Sequence, residues 1–376
     1  MPFHPVADEN RFLGLLTGLA TLESPTGHTG ALDALAGHLQ EQLEQGGWHV
    51  QRHPRSGAGD HLEATRWTGT AGPSTLLLCH YDTVWDIGTL ADMPVRREGN
   101  IMYGPGVLDM KGGIAAALHA VELLEAASVS PAGPVTLLLT SDEETGSLTS
   151  RELIEQTAQR HDRVLVLEPA RDDGAVKTAR KGVGDYTVTF TGVSSHAGNS
   201  PELGASALRE FAHFLLFAET LEDDTKGTTV NVTTASGGTA RNVIAETAVA
   251  GIDLRVLETA EADRIDGSLR TYRPRDARVR VEVAGGLNRP PLEPGEGSTE
   301  LFTLARTLHA ERGRDLEGAT VGGGSDGSFT AALGIPTLDG LGAVGQGPHA
   351  RHEQIDIGMT LERVELLAAL LAARPD

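Results

Sequence analysis

Val135-Thr136-Leu137-Leu138-Leu139-Thr140-Ser141-Asp142-Glu143-Glu144-Thr145-Gly146 sets two adjacent carboxylates just beyond an apolar run. The run is β-branched and leucine-rich, is bounded by Pro134, and reads as a short strand ending in an acidic turn. Successive side chains at the end of an extended segment point in different directions, so Glu143 and Glu144 can do different work. One can ligate a metal ion while the other faces a bound water as a general base. A solvated acidic turn opening a helix would use the same residue types for the helix dipole. The rest of the chain decides between these readings.

Working outward, Leu76-Leu77-Leu78-Cys79-His80 and Arg163-Val164-Leu165-Val166-Leu167 are further apolar runs of the kind that central strands need. Before them, Phe12, Leu15, Leu16 and Leu19, then Leu32, Leu35, Leu39 and Leu43, fall at helical spacing on either side of Ser24-Pro25-Thr26-Gly27. Trp48 to Gln51 and Leu62 to Trp67 read as strands. The alternation of strands and helices to about residue 170 predicts an α/β sheet flanked by helices. From about 182 to 284 the order becomes strand, helix, strand, strand, helix, strand, which suits a four-stranded antiparallel sheet carrying two helices. Gly285 to Pro291 reads as the return linker. Helices are then expected over Thr299 to Arg312, after the Gly-rich 321–327, and over Glu362 to Ala373. The expected division is a catalytic domain of residues 1–180 and 288–376 with residues 181–287 inserted into it.

The chain has 376 residues, long for one ordinary core, with 39% hydrophobic and 22% charged residues and 46 glycines for tight turns. A formal net charge of −21 repels nucleic acid and anionic membrane surfaces. Cys79 is the only cysteine, so no intrachain disulfide can form. The apolar run at Phe12 to Leu16 follows acidic residues and is too short to span a bilayer. These features lead us to expect a soluble, cytoplasmic protein acting on small molecules.

Metal-type ligands recur at strand ends. His80 is followed two residues on by Asp82, a carboxylate of the kind that orients a ligating imidazole. Asp109 lies in Gly104-Pro105-Gly106-Val107-Leu108-Asp109-Met110-Lys111-Gly112-Gly113, where glycines let backbones approach closely. Glu168 ends the 163–167 run and is followed by Pro169, and His349 lies in Gly345-Gln346-Gly347-Pro348-His349. Singly, each is as readily a helix cap or an exposed side chain. Together they fall at the carboxyl edge of an α/β sheet, where open sheets place their sites. Cys79 reads as a core thiol and His352 as exposed, and His28, His119 and His161 read as lacking partners.

The set His80-x-Asp82, Asp109-Met-Lys-Gly-Gly, Asp142-Glu-Glu-Thr-Gly, Glu168-Pro and His349 resembles the M20 metallopeptidases over essentially the whole chain, closest to their glutamate-carboxypeptidase branch. The resemblance implies a zinc-exopeptidase-type domain with an inserted ferredoxin-like lid and dimerisation domain. It implies two Zn²⁺ ions, with Co²⁺ as the other candidate, bridged by Asp109. His80 and Glu168 would complete one ion, and Glu144 and His349 the other. Glu143 would be the general base, with Asp82 behind His80. His196, in Ser194-Ser195-His196-Ala197-Gly198, matches the family's histidine that reaches the partner subunit's site in dimeric members. Asn242 and Arg255 match positions that hold a substrate carboxylate, a task suited to a neutral donor and a bidentate clamp. Arg289, Lys177 and the loop around Gly323 are further candidates for substrate contact. The implied activity is hydrolysis of an amide beside a free carboxylate, as a carboxypeptidase. An N-acyl amino-acid deacylase is the rival within the enzyme class, and a catalytically silent metal-dependent binding protein the rival outside it.

Overall fold

Two units divide the chain in the computed structural model, which describes residues 3–374. The first holds the residues up to Thr178, Pro294–Thr320 and those from Ser325 on, and the second holds Ala179–Glu293 and Val321–Gly324.

A six-stranded sheet runs through the first unit in the order His49–His53, His61–Arg66, Val135–Thr140, Thr75–His80, Arg163–Val166, Thr337–Leu338. The last four are parallel, and the first two join them antiparallel, so the sheet is mixed. Alternate residues of the central strands enter two separate cores. Leu77, Cys79, Leu137, Leu139 and Leu165 pack with helices Glu9–Ala20, Thr29–Gln45, Gly112–Ala126 and Ile357–Ala372. Leu76, Leu78, Leu138, Val164 and Val166 pack with helices Arg151–Ala158 and Gly327–Ala332. Because both faces are covered, these strands carry unbroken apolar runs rather than an alternation. Helix Glu9–Ala20 presents Phe12, Leu15, Leu16 and Leu19 as one stripe, and Asp8 caps it by accepting from the Arg11 amide at 2.9 Å.

A second, four-stranded sheet in this unit was not legible in the sequence. It orders Gly345–Gln346, Gln354–Asp356, Ile101–Tyr103 and Arg96–Glu98, all antiparallel. Its strands are two or three residues long, and one of them, Arg-Arg-Glu, is exposed at every position. Such strands carry no periodicity to read. The sheet matters for the site, because Ile101–Tyr103 leads into the Asp109 loop and the paired strands Gly345–Gln346 and Gln354–Asp356 bracket His349.

The second unit is a four-stranded antiparallel sheet in the order Thr229–Gly237, Thr247–Val256, Gly182–Thr191, Arg280–Arg289, with helices Ala207–Glu219 and Thr259–Thr271. Buried and less buried residues alternate along Gly182–Thr191, as expected of a sheet covered on one face. Tyr186, Val188 and Phe190 pack there against Phe214, Ile265 and Leu269 of the two helices. The expected return linker from Gly285 is instead sheet, since the last strand continues to Arg289 through an irregularity after Leu287. The C-terminal helix likewise starts five residues before the expected Glu362, at Ile357, where Asp356 accepts from the Met359 amide and caps it. Among the described residues no helix is long and apolar enough to cross a membrane.

Candidate metal centre

His80 ends strand Thr75–His80, Glu143 and Glu144 follow Val135–Thr140, and Glu168 follows Arg163–Val166. These are neighbouring parallel strands, so their carboxyl ends converge. Asp109 and His349 arrive from the two loops joined by the small sheet. The Asp109 side chain lies between two groups. Its Oδ1 is 3.2 Å from His80 Nε2, and its Oδ2 is 3.4 Å from His349 Nε2. His80 Nε2 also lies 3.5 Å from Glu168 Oε1, and His349 Nε2 lies 3.2 Å from Glu144 Oε2. The five expected ligands are thus brought together in two pairs sharing one aspartate.

His80, Asp109 and Glu144 place ligand atoms within 4.8 Å of one another, as do His80, Glu143 and Glu168. Glu143, expected as a base, therefore stands within the reach of a ligand as well. The donors are imidazole nitrogens and carboxylate oxygens, a set that suits zinc and similar divalent ions. Buried Glu144 Oε1 has no hydrogen-bond partner, and a buried anionic oxygen of that kind is one a cation would satisfy. The residues fit a metal.

The electrostatics of the cluster follow from this crowding. Burial opposes a charge on His80, yet its contacts with Asp109, Asp82 and Glu168 outweigh burial and hold its pKa well above the ordinary value. His349 is raised to about 10, chiefly by Asp109 and then by Glu144. Burial would raise Asp109, but His349 and His80 more than reverse it and hold the carboxyl far below the usual range. Glu144 moves up, because burial exceeds the help from His349. His349 also has φ of 60°, a left-handed backbone uncommon for a non-glycine residue and one that recurs at functional sites.

Two buried carboxylates hold the frame. Asp82 accepts from the Glu143 amide at 3.3 Å, the Glu144 amide at 3.2 Å and the Thr26 hydroxyl at 2.8 Å. Its side chain was expected to orient His80, but the shorter contact of His80 Nδ1 is to the Asp82 backbone oxygen, at 3.1 Å against 3.4 Å to Oδ1. Glu353, fully buried, accepts from the amides of Gly106, Leu108 and Asp109 at 2.9, 2.9 and 3.0 Å and from the Trp85 indole at 2.8 Å. Glu353 has no role assigned to it from the sequence alone.

Cys79 is a buried core thiol and His352 is exposed, as expected. The other histidines correct the reading, because each has partners. His28 Nδ1 accepts from the Ala31 amide at 3.2 Å, His119 Nε2 accepts from the Asp8 amide at 2.9 Å, and His161 bonds the Thr157 carbonyl and Thr136 hydroxyl, both at 2.7 Å. They are structural residues.

In the second unit, His196 is exposed and its Nδ1 accepts from the amides of Gly198 at 3.1 Å and Asn199 at 3.0 Å. Accepting at Nδ1 leaves Nε2 as the proton-bearing nitrogen, pointing the ring's donor away from its own loop. Asn242 lies on the adjoining segment, where its carbonyl accepts from the Ala197 amide at 2.9 Å. The Arg255 guanidinium is already paired, with Asp253 at 2.7 Å. Arg289 is buried, and the Gly323 carbonyl accepts from Arg180 at 3.2 Å.

A mixed sheet with imidazoles and carboxylates gathered at its parallel strand ends defines a metallohydrolase class. Residues 76–373 match the model of peptidase family M20/M25/M40, and the chain belongs to that family. Carboxypeptidase G2 of Pseudomonas sp. (strain RS-16) is 34% identical over 98% of this chain and 91% of its own length. A succinyl-diaminopimelate desuccinylase of Xanthomonas oryzae pv. oryzae (strain PXO99A) is 30% identical over 96% of this chain and 97% of its own. Among solved structures, the aminopeptidase PepT of Bacillus cereus superposes with a TM-score of 0.81 at 20% identity, covering 97% of this chain and 98% of its own. The chain is an enzyme of the metal-dependent M20 hydrolases.

Proposed function

We propose that this enzyme is a zinc-dependent carboxypeptidase that hydrolyses an amide beside a free C-terminal carboxylate, with Asp109 as the residue that would serve both halves of the metal centre. The observation that carries the reading is the division of Asp109 between His80 on one oxygen and His349 on the other. His80 and Glu168 would hold one ion, Glu144 and His349 the second. When bound, such ions polarise the scissile carbonyl and make an attacking water acidic. Glu143 would serve as the base that takes a proton from the attacking water and returns it to the leaving nitrogen. Asp82 fixes where this base can stand, since it grips the amides of both Glu143 and its neighbour. His196, Asn242 and Arg255 are the candidates for substrate contact, Arg255 by exchanging Asp253 for the substrate carboxylate. Dimerisation through the second unit belongs to the same reading.

The 30% identical desuccinylase supports a second reading, removal of an acyl group from an amino acid by the same machinery. Hydrolysis of a panel of dipeptides and N-acyl amino acids by the zinc-loaded enzyme separates the two. Cleavage of peptides only when the C-terminal carboxylate is free establishes the carboxypeptidase. Preference for small acyl groups moves the assignment to a deacylase, and inactivity of the loaded enzyme on both panels overturns both readings.

A further inference from the structure

Arg363, on helix Ile357–Ala372, is 4% exposed, and neither a hydrogen bond nor an ion pair reaches it among the described residues. Burying a guanidinium without a partner is costly, and native structures rarely leave it so. The side chain lines a cavity of about 250 Å³ in the first unit, formed without any of the candidate metal ligands. Burial, only partly opposed by Glu362, pulls its pKa down to about 10, so it remains a cation at neutral pH. His309 lines the same cavity, and its buried Nδ1 is also without a hydrogen-bond partner. The backbone keeps the space open. Gly174 has φ of 83°, and a Cβ there would come within 2.9 Å of the Met359 methyl and 3.5 Å of Arg363 Nη2.

The cavity is layered by charge. Its floor offers the Arg363 cation, while its exposed mouth carries Asp315 and Glu317, whose carboxylates have no side-chain partner among the described residues. Asp173 and Glu362 add two more carboxylates, each already paired, with Arg171 at 3.0 Å and Arg314 at 3.1 Å. A bare anion would satisfy the floor and be repelled by the mouth, and a bare cation the reverse. A molecule with a carboxylate at one end and an ammonium at the other satisfies both, and the volume limits it to a few heavy atoms beyond those groups. We propose that this cavity is a second small-molecule site that takes a free α-amino acid, its carboxylate on Arg363 and its ammonium at Asp315 and Glu317. Free amino acids are also products of the reaction proposed above, but binding here does not rest on that reaction.

The five methionines of the chain give a readout that separates the two sites. Met359 lines the cavity, whereas Met110 lies against His80, whose amide is 3.2 Å from its sulfur. In the zinc-loaded enzyme labelled with ¹³C-methyl methionine, L-alanine should shift the Met359 resonance saturably, whatever Met110 does. Acetate and methylammonium, each carrying one half of the charge pattern, should bind at least about tenfold more weakly. Arg363→Gln should abolish the alanine-dependent shift. Removing an unpaired buried charge endangers folding little, and the surface variant Glu317→Gln, which should weaken alanine while leaving acetate no weaker, provides an independent check. An unmoved Met359 resonance would mean that Arg363 is merely hydrated. Acetate binding as tightly as alanine, or alanine binding that survives Arg363→Gln, would equally overturn the proposal.

Discussion

The amides of Glu143 and Glu144 both hang on the Asp82 carboxylate, which leaves the two side chains to be told apart by what they face. Glu144 meets His349, while Glu143 stands within ligand distance of His80 and Glu168. Glu143→Gln decides its role. As a base, its loss should lower kcat by about 10²- to 10⁴-fold while metal content, read by elemental analysis, stays at the wild-type value. A fall in bound metal would make Glu143 a ligand instead. Glu353 invites the opposite experiment, since it touches no candidate ligand side chain and still holds the Asp109 loop. Glu353→Ala leaves three amides and an indole N–H without their acceptor, which should cost at least about 3 kcal/mol in chemical denaturation and weaken metal binding about 10- to 100-fold.

Helix Glu296–Ala310 carries His309 in its last turn, and burial followed by the charges of Arg363, Arg314 and Arg312 depresses the ring's pKa from 6.5 to about 4. A histidine depressed on folding is protonated first in the unfolded chain, so its contribution is complete above about pH 6.5 and is lost as the pH falls toward 4. The loss should reach roughly 2–3 kcal/mol, read as a shift of the urea midpoint between pH 7 and pH 4.5, and His309→Gln should remove that part of the slope. This helix was placed by sequence pattern to within a few residues, as were the central strands, because apolar runs buried on both faces stand out in any reading. The strand ends carrying His80, Glu144 and Glu168 were legible for the same reason. Chemistry follows directly on an apolar run there. The Glu353 anchor was not legible, because its acceptors' partners lie about 250 positions away in the chain and no local pattern joins them. The small sheet was missed because strands of two or three residues carry no periodicity and look like loop, and the partners Asp8 of His119 and Thr136 of His161 went unseen because tertiary contacts supply them, while the Ala31 amide and the Thr157 carbonyl are local helix-end partners.

Across the whole molecule, whose net charge is −21, the centre gathers the carboxylates of Asp109, Glu143, Glu144 and Glu168 at one place. Chelation should therefore abolish hydrolysis and also lower Tm, and zinc should restore both. With free zinc at about a hundred times its Kd, the stabilisation expected is about 2.7 kcal/mol. An unchanged Tm would mean that the loops reach their native positions without an ion. The bonds from Asp82 and Glu353 bear on how such an enzyme can diversify. They grip main-chain amides, which every residue except proline possesses, so the turns bearing Glu143, Glu144 and Asp109 do not depend on the identity of the side chains they display. A lineage can then exchange one ligand for another, and so change its preferred ion, without first having to invent a new loop.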